Sequence, residues 1–492
     1  MNNRAVPLVF NLLFLNLLFN SITMFKLILL KELKEIIQSN RFVISFAVCS
    51  VLIILAFLMG AQNYLASQAQ YEATIQENRA QIAANTEWYN INHTITLPPQ
   101  PLMALVNGVS SDIGRNIEMR SRGELIAENT RFNDEPLFAI FRFLDLEFIF
   151  GIVLSLFAII FAYDAINGER TSGTLKLCFS NSISRASFIA GKFTGSFLGL
   201  SAALLIPILI GAALLPVLGI ELTSDEWLRL TFIVFSGLAY FGVFLTLAIG
   251  ISSITRRPST SFLLSLVVWI FAVLIIPRSS VMIAGRMVDV PNLDEIASQK
   301  NNYRIQLFDE DRPKLQNFSI PKGTPPAKAF PLFSKFMGEL SEKRQDKIEA
   351  LEERLNEELE NKKREQQKLA FSIARISPAA VFTFAVSRLA GTSLDLQHRF
   401  NDSAKEYQKL YSNFMEEKTG KSSGGIRIIV SDSDEQEEKK NLDPDEMPAF
   451  NFSETSFKET ANSSFTDIGL LLLFNLVFFG GAFASFLRYD LR

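Results

Sequence analysis

Six stretches of this chain are apolar over roughly the length a helix needs to cross a bilayer, and no other feature restricts the fold as much. They are Phe42 to Gly60, Phe148 to Tyr163, Phe193 to Pro216, Leu230 to Ile254, Ser261 to Pro277 and Ile468 to Leu487. A hydrocarbon core of about 30 Å takes about 20 helical residues. None of the six holds Asp, Glu, Lys, Arg or His in its interior, and the last holds Asn475. With 48% hydrophobic residues in 492, the chain has enough polar sequence left for water-exposed domains.

Lys and Arg in the short connections orient the spans, because long loops cross largely regardless of charge. Lys26, Lys31, Lys34 and Arg41 precede the first span. Arg170, Lys176, Arg185 and Lys192 lie between the second and third, Arg256 and Arg257 between the fourth and fifth, and Arg488 and Arg492 after the sixth. All four clusters then share one side, which is expected to be cytoplasmic with both termini inside. The expected plan is an N-terminal segment 1–41, spans 42–60, 148–163, 193–216, 230–254, 261–277 and 468–487, outer domains 61–147 and 278–467, a cytoplasmic loop 164–192 and a tail 488–492. Trp227, in the short outer turn, is expected to anchor at the interface.

The apolar stretch "VPLVFNLLFLNLLFNSITM" carries three Asn and no small-residue cleavage site, so it reads poorly both as a signal peptide and as a span. Met24 is taken as the start; a seventh span would leave the other six undisturbed. After it, Phe25, Leu29, Leu33 and Ile36 or Ile37 recur at helical spacing, with Lys26, Lys31, Glu32, Lys34 and Glu35 between them. That pattern predicts an amphipathic helix lying in the inner interface.

The outer segments read as mainly helical. Ala61 to about Asn85 favours a helix continuing out of the first span, ended by "LPPQP". Ile348, Leu351, Leu355 and Leu359 mark one long amphipathic helix, with Glu358–Lys362 and Glu360–Arg364 as supporting pairs. Phe400, Tyr407, Leu410 and Phe414 mark a second, expected to pack on the first as an intramolecular hairpin rather than a dimeric coil. Pro378 to Leu389 is too short to span and reads as an interfacial or core helix. "KTGKSSGG" and "SDSDEQEEKKNLDPDE" frame a polar loop that cannot bury a core.

Residues for catalysis are scarce. His93 and His398 sit far apart without a spaced ligand set, and Cys49 and Cys178 form neither a disulfide framework nor a metal cluster. No G-x-S-x-G elbow occurs. "ASFIAGKFTG" lacks the first Gly and the Ser or Thr of a Walker A loop, so ATP hydrolysis is not expected here. Gly191, Gly195 and Gly199, followed by Ala203, form instead a small-residue stripe for close helix packing. No basic stripe with interleaved aromatics suggests nucleic acid.

The cytoplasmic loop "YDAINGERTSGTLKLCFSNSISRASFIAGK" resembles the permease subunits of ABC-2 type transporters, in which an acid, G-E-R, G-T-L, S-R and G-K recur at this place. The matching residues are Asp164, Gly168, Glu169, Arg170, Gly173, Thr174, Leu175, Ser184, Arg185, Gly191 and Lys192. "PPQPLMALVNG" and "ISPAAVFTFAVSRLAGTS" look like a subgroup with large external insertions, related to permeases of gliding motility and nitrous-oxide-reductase maturation.

The resemblance implies an all-α membrane protein with six transmembrane helices, an amphipathic N-terminal interface helix and two mainly helical extracytoplasmic domains. It implies a non-catalytic exporter subunit of the inner membrane, paired with a second permease. A separate cytoplasmic ABC ATPase would hold the ATP and magnesium, and this chain no cofactor. Glu169 to Lys176 would seat in a groove of that ATPase, with Glu169 and Arg170 as charged contacts and Leu175 as an apolar one. The alternative reading is a mechanical transmitter whose outer helices act on an envelope partner without transport.

Overall fold

Ser39 makes the first corner of the chain. In the computed structural model, which describes residues 23–88, 91–110, 112–120, 125, 127–128, 144–180, 183–320, 325–419, 441–453 and 455–488, helix α1 (23–37) stops just before it. The Ser39 hydroxyl then accepts from the Phe42 amide and caps α2 (Asn40–Ala84). The apolar stretch before Thr23, the polar loop 420–440 and the tail 489–492 lie outside the described residues.

Among the described residues, six helices are long and apolar enough to cross a membrane. They are α2, α3 (Leu146–Phe148 running on through Ile149–Leu154 and Ser155–Ala162), α6 (Arg185–Val217), α7 (Ser224–Ile254), α8 (Pro258–Met287) and α13 (Phe457–Leu487). Two short helices, α4 (Asn167–Thr171) and α5 (Thr174–Ser180), join α3 to α6. Capping boxes at Thr223 with Glu226 and at Ser456 with Glu459 start α7 and α13.

Helix α7 is the hub of the apolar core, with Tyr240, Phe241 and Phe244 fully buried. Two π-helical stretches fasten neighbours to it. In α3 the widened turn at Ile149–Leu154 leaves Gly151 O to accept from both the Tyr240 hydroxyl (2.9 Å) and the Ser155 hydroxyl (2.7 Å). In α8, at Ile270–Ile275, Ala272 O accepts from the Ser377 hydroxyl. Ser377 in turn caps α11 (Pro378–Leu389), a largely buried helix whose Phe382 stacks on Tyr240 at 4.7 Å. Asn475 donates to Ala239 O, so the one polar side chain noted in the sixth span ties α13 to α7.

The outer region differs from the helical expectation in three places. Helix α2 ends at Ala84, where the expectation put it, but "LPPQP" is not what ends it: the Asn85 side chain bonds back to Gln81 O and the chain turns extended there. A three-stranded antiparallel sheet follows, β1 (His93–Thr96), β2 (Asn116–Met119) and β3 (Ala127–Glu128), with Ile95 opposite Ile117. The third difference concerns helix pairing. Helix α12 (Leu394–Thr419) lays Leu396, Phe400, Ala404 and Tyr407 on the cluster that includes the sheet, while Leu410 stays exposed.

The long helix α10 (Pro326–Ala374) pairs instead with α9 (Leu293–Gln316), burying Ile296, Leu355 and Leu359 between them. A hairpin therefore forms within the chain, with a partner whose sequence has no continuous apolar stripe. On α10, Lys362 bonds Glu365 and Lys363 bonds Glu360, in place of the two expected pairs.

His93 is enclosed by Tyr407 and Tyr411. The Tyr407 hydroxyl donates to Pro448 O at 2.7 Å and so accepts from His93 Nε2 at 2.9 Å, leaving Nδ1 bare and without a partner. Burial pushes the His93 pKa down from 6.5 to about 4. The folded domain thus holds a neutral imidazole that the unfolded chain protonates near pH 6.5. The stability involved is complete above that pH and is lost as pH falls toward about 4, for a total of about 3 kcal/mol. His93→Phe should flatten the fall in thermal midpoint between neutral pH and pH ~4.5; an equally steep fall in both proteins would remove His93 as its cause.

Candidate functional site

Described members of all four basic clusters lie at one end of the bundle. Arg41, at the start of α2, bonds Asp164 at 3.0 Å and lies over the Tyr163 ring. Ser252, near the end of α7, accepts from the amides of Ile166 and Asn167, and Asn167 Nδ2 donates to Thr255. Arg185, in the first turn of α6, donates to Phe486 O and Leu487 O, carbonyls in the last turn of α13. The first two sets of cross-links fix the 164–180 segment against α2 and α7, and the third ties α6 to α13.

Beneath the loop sits a buried ion network. Lys192 Nζ is 2.8 Å from Glu32 Oε2 and 2.8 Å from Glu169 Oε1, with its side chain only 6% exposed. Lys31 approaches the same Glu169 oxygen at 3.3 Å, and Ser196 donates to Glu32 Oε1 at 3.2 Å. Helices α1, α4 and α6 therefore meet at one cation. Buried charges persist only where paired and hydrogen-bonded, which this geometry supplies.

The glycine stripe makes the network reachable. A Cβ at Gly191 would lie 2.9 Å from Ile28 Cγ2, and one at Gly195 would lie 2.9 Å from Glu32 Cβ and 3.1 Å from Leu29 O. Gly199 faces Leu33 with more room, at 3.6 Å. The partner of the stripe is thus α1, whose buried line is Ile28, Glu32 and Ile36. Glu32, read from sequence as part of the polar face, lies mid-seam because Lys192 and Ser196 occupy the turn beside those glycines. Gly195→Leu should push α1 off α6 and lower the thermal midpoint, at a cost of about 1–3 kcal/mol; an unchanged midpoint would mean the contact is slack.

Within the loop the roles separate by exposure. Gly168 packs over Asp164, and its added Cβ would meet Asp164 Cβ at 3.3 Å. Glu169 faces inward, with its side chain 12% exposed, while Arg170 is half-buried. Gly173 has φ +77°, a left-handed corner that other residues rarely take, and it turns α4 into α5. Thr174 Oγ1 donates to Glu169 O and stabilises that corner. Leu175 is buried in the core, beside an aromatic cluster of Phe179, Phe188 and Phe486. The outward surface consists of Thr171, Ser172, Gly173, Lys176, Leu177 and Ser180, with Leu177 68% exposed.

Sequence reasoning passed over Lys31, Glu32, Arg41 and Ser252 as partners of this loop. One signal was present: Lys192 follows the first glycine of a close-packing stripe, which puts a charge beside an intimate helix contact. Glu32, Glu35 and Glu169 bring carboxylate oxygens near one another, but Lys192 and Lys31 already neutralise this group, so it offers a poor cation site.

Residues 27–491 match the sequence profile of a family described as ABC-2 family transporter protein. Two curated relatives, each titled probable ABC transporter permease protein NosY, align with part of the chain. The one from Stutzerimonas stutzeri is 35% identical over 125 residues, and the one from Pseudomonas aeruginosa 36% over 126. Each alignment covers 25% of this chain and 45% of the relative, so the chain spans under half the length of the curated relatives it matches.

Proposed function

Since this chain belongs to the ABC-2 family of transporter proteins, we propose that its 164–192 loop receives force from a separate cytoplasmic ATPase subunit and passes it to the spans. The observation that carries this reading is the division of the loop into a locked underside and a solvent-exposed upper surface. Glu169, Asp164 and Asn167 are tied to α1, α2 and α7, whereas Leu177, Lys176 and the Gly173 corner face away from the bundle. A push on α5 is delivered to several helices at once, which is what a rigid coupling element requires.

The chain works as a non-catalytic subunit in this reading, paired with a second permease in the cytoplasmic membrane, with both termini on the ATPase side. ATP and magnesium are held by the partner. Glu169 acts from below, positioning α4 through Lys192, while the contact itself is made by Leu177 and Lys176. Arg170 contributes from the edge of that surface.

Leu177→Asp should reduce co-purification of the ATPase at least about tenfold, because an exposed apolar contact becomes a charge, while the thermal midpoint of the permease stays within a degree or so of wild type. Undiminished capture would remove Leu177 from the docking surface.

A second reading, mechanical transmission to an outer partner, is favoured by one observation. Helix α8 runs without a break from the fifth span into the base of the α9–α10 hairpin, where Gln366 donates to Val288 O. Motion of that span is thereby carried outward.

A further inference from the structure

Helix α2 meets α3 along residues 146–154. Toward the end that carries the basic clusters, a groove of about 310 Å³ separates the two helices. Its rim is aromatic: Phe42 and Phe46 of α2, stacked at 5.8 Å, face Phe157 and Phe161 of α3, and all four are half-buried. Its floor is Leu200 and Leu204 of α6 and Phe241 of α7, all buried. Apart from the Ser45 hydroxyl and the Cys49 thiol, the lining side chains are hydrocarbon. The walls are spans, so the medium at the rim is lipid. Left empty, such a groove forfeits the dispersion contacts that its lining would otherwise make.

Size and charge together select the occupant. From Phe42 to Cys49 the groove follows about 10 Å of helix, and a partner helix is itself about 10 Å across, too thick to lie in the slot. Water finds too few polar partners there. An acyl chain is narrow enough and wholly apolar. Arg41 stands one residue before Phe42 and bonds Asp164 at 3.0 Å across the end of the groove, with its side chain 54% exposed. A guanidinium carries five N–H donors in a fixed fork, so it can hold a phosphate oxygen while still holding Asp164. A cation at headgroup depth over an apolar slot is the layout that a phospholipid fits. We propose that one phospholipid of the leaflet at the basic end binds this chain, with an acyl chain between α2 and α3 and its phosphate on Arg41.

The test uses the full chain washed free of lipid in a maltoside detergent, with dioleoyl-phosphatidylglycerol added back and native mass spectrometry counting what stays bound. Wild type should keep one phospholipid per chain at collision energies that strip the rest, and should not keep dioleoylglycerol, which has the same chains and no phosphate. Arg41→Gln should weaken retention about tenfold, the loss of one charged hydrogen bond. Ala203 lines the groove, so Ala203→Phe should abolish retention by filling it, whereas Ala202→Phe, at the exposed neighbouring position, should leave retention as in wild type. Wild type that keeps no lipid, equal retention of dioleoylglycerol, or variants at 202 and 203 that behave alike would each overturn the proposal. A second measurement needs no substitution. Phosphatidylglycerol with a photoreactive group in mid-chain should cross-link to wild type chiefly at residues 46–49 and 154–161; adducts as frequent on Leu198, Ile206 and Leu209, which α6 exposes, would mark ordinary bilayer contact and overturn it too.

Discussion

Lys192→Met lowers the stability of the purified chain by about 3–5 kcal/mol, the range for breaking a buried ion pair from one side. Methionine keeps the length and the packing of the side chain, so the loss is electrostatic. It leaves Glu32 beside only Ser196, and Glu169 with only the half-exposed Lys31. Adding Glu32→Gln to the variant removes the stranded carboxylate and should recover roughly half of the loss. Thermal unfolding of the two single variants and the double variant measures this coupling. Additive losses, with no recovery in the double variant, would show that Lys192 and Glu32 do not act as a pair. Because α1 and α4 share this cation, Lys192→Met should also impair ATPase capture, whereas Leu177→Asp acts on capture alone.

The second large effect is expected at the opposite end of the bundle. Asp467, in α13, is fully buried and accepts from Arg375 Nε at 2.8 Å and from Arg388 Nη1 at 2.6 Å. Arg375 follows the last residue of α10, and Arg388 belongs to α11, so one carboxylate holds the root of the hairpin, the buried helix and the last span together. Asp467→Asn keeps the shape and removes the charge, leaving two guanidinium groups facing a neutral amide. The cost is about 3 kcal/mol, toward the lower end for a buried pair because Arg375 keeps a third of its surface in water. Protease cleavage near residue 375 should rise in step with the drop in thermal midpoint. A variant as resistant as wild type would mean that apolar packing alone holds the root.

The spans were legible because lipid imposes a length and a composition that few other constraints mimic. The long helix α10 was legible for a related reason, since its leucines repeat at helical spacing over a charged background. Its partner was not. Helix α9 buries only Ile296, Leu307 and Asp311, too sparse a set to show a period, and what pairs it with α10 is a ladder of side-chain bonds such as Arg304 to Glu352. The sheet escaped notice because its strands have four, four and two residues, shorter than any alternation that stands out from a loop.

The candidate site divides in the same way. Asp164, Gly168, Glu169 and Gly173 were recognisable as a pattern, yet their directions were not, because a loop sequence does not say which side faces the bundle. The fold turned Glu169 inward and Leu177 outward, which is why the proposed docking contact is placed at the exposed apolar side chain and not at the covered charge. Sequence by itself determined where six spans lie, that the basic clusters gather in the connections at one end of them and that no Walker A loop is present, since these depend on local composition and spacing. Tertiary structure alone decided that Glu32 meets Lys192, that α9 and not α12 accompanies α10, and that Asp467 joins three helices. Each of those outcomes depends on groups far apart in the chain, and the low-dielectric interior makes their pairing obligatory only once packing has brought them together.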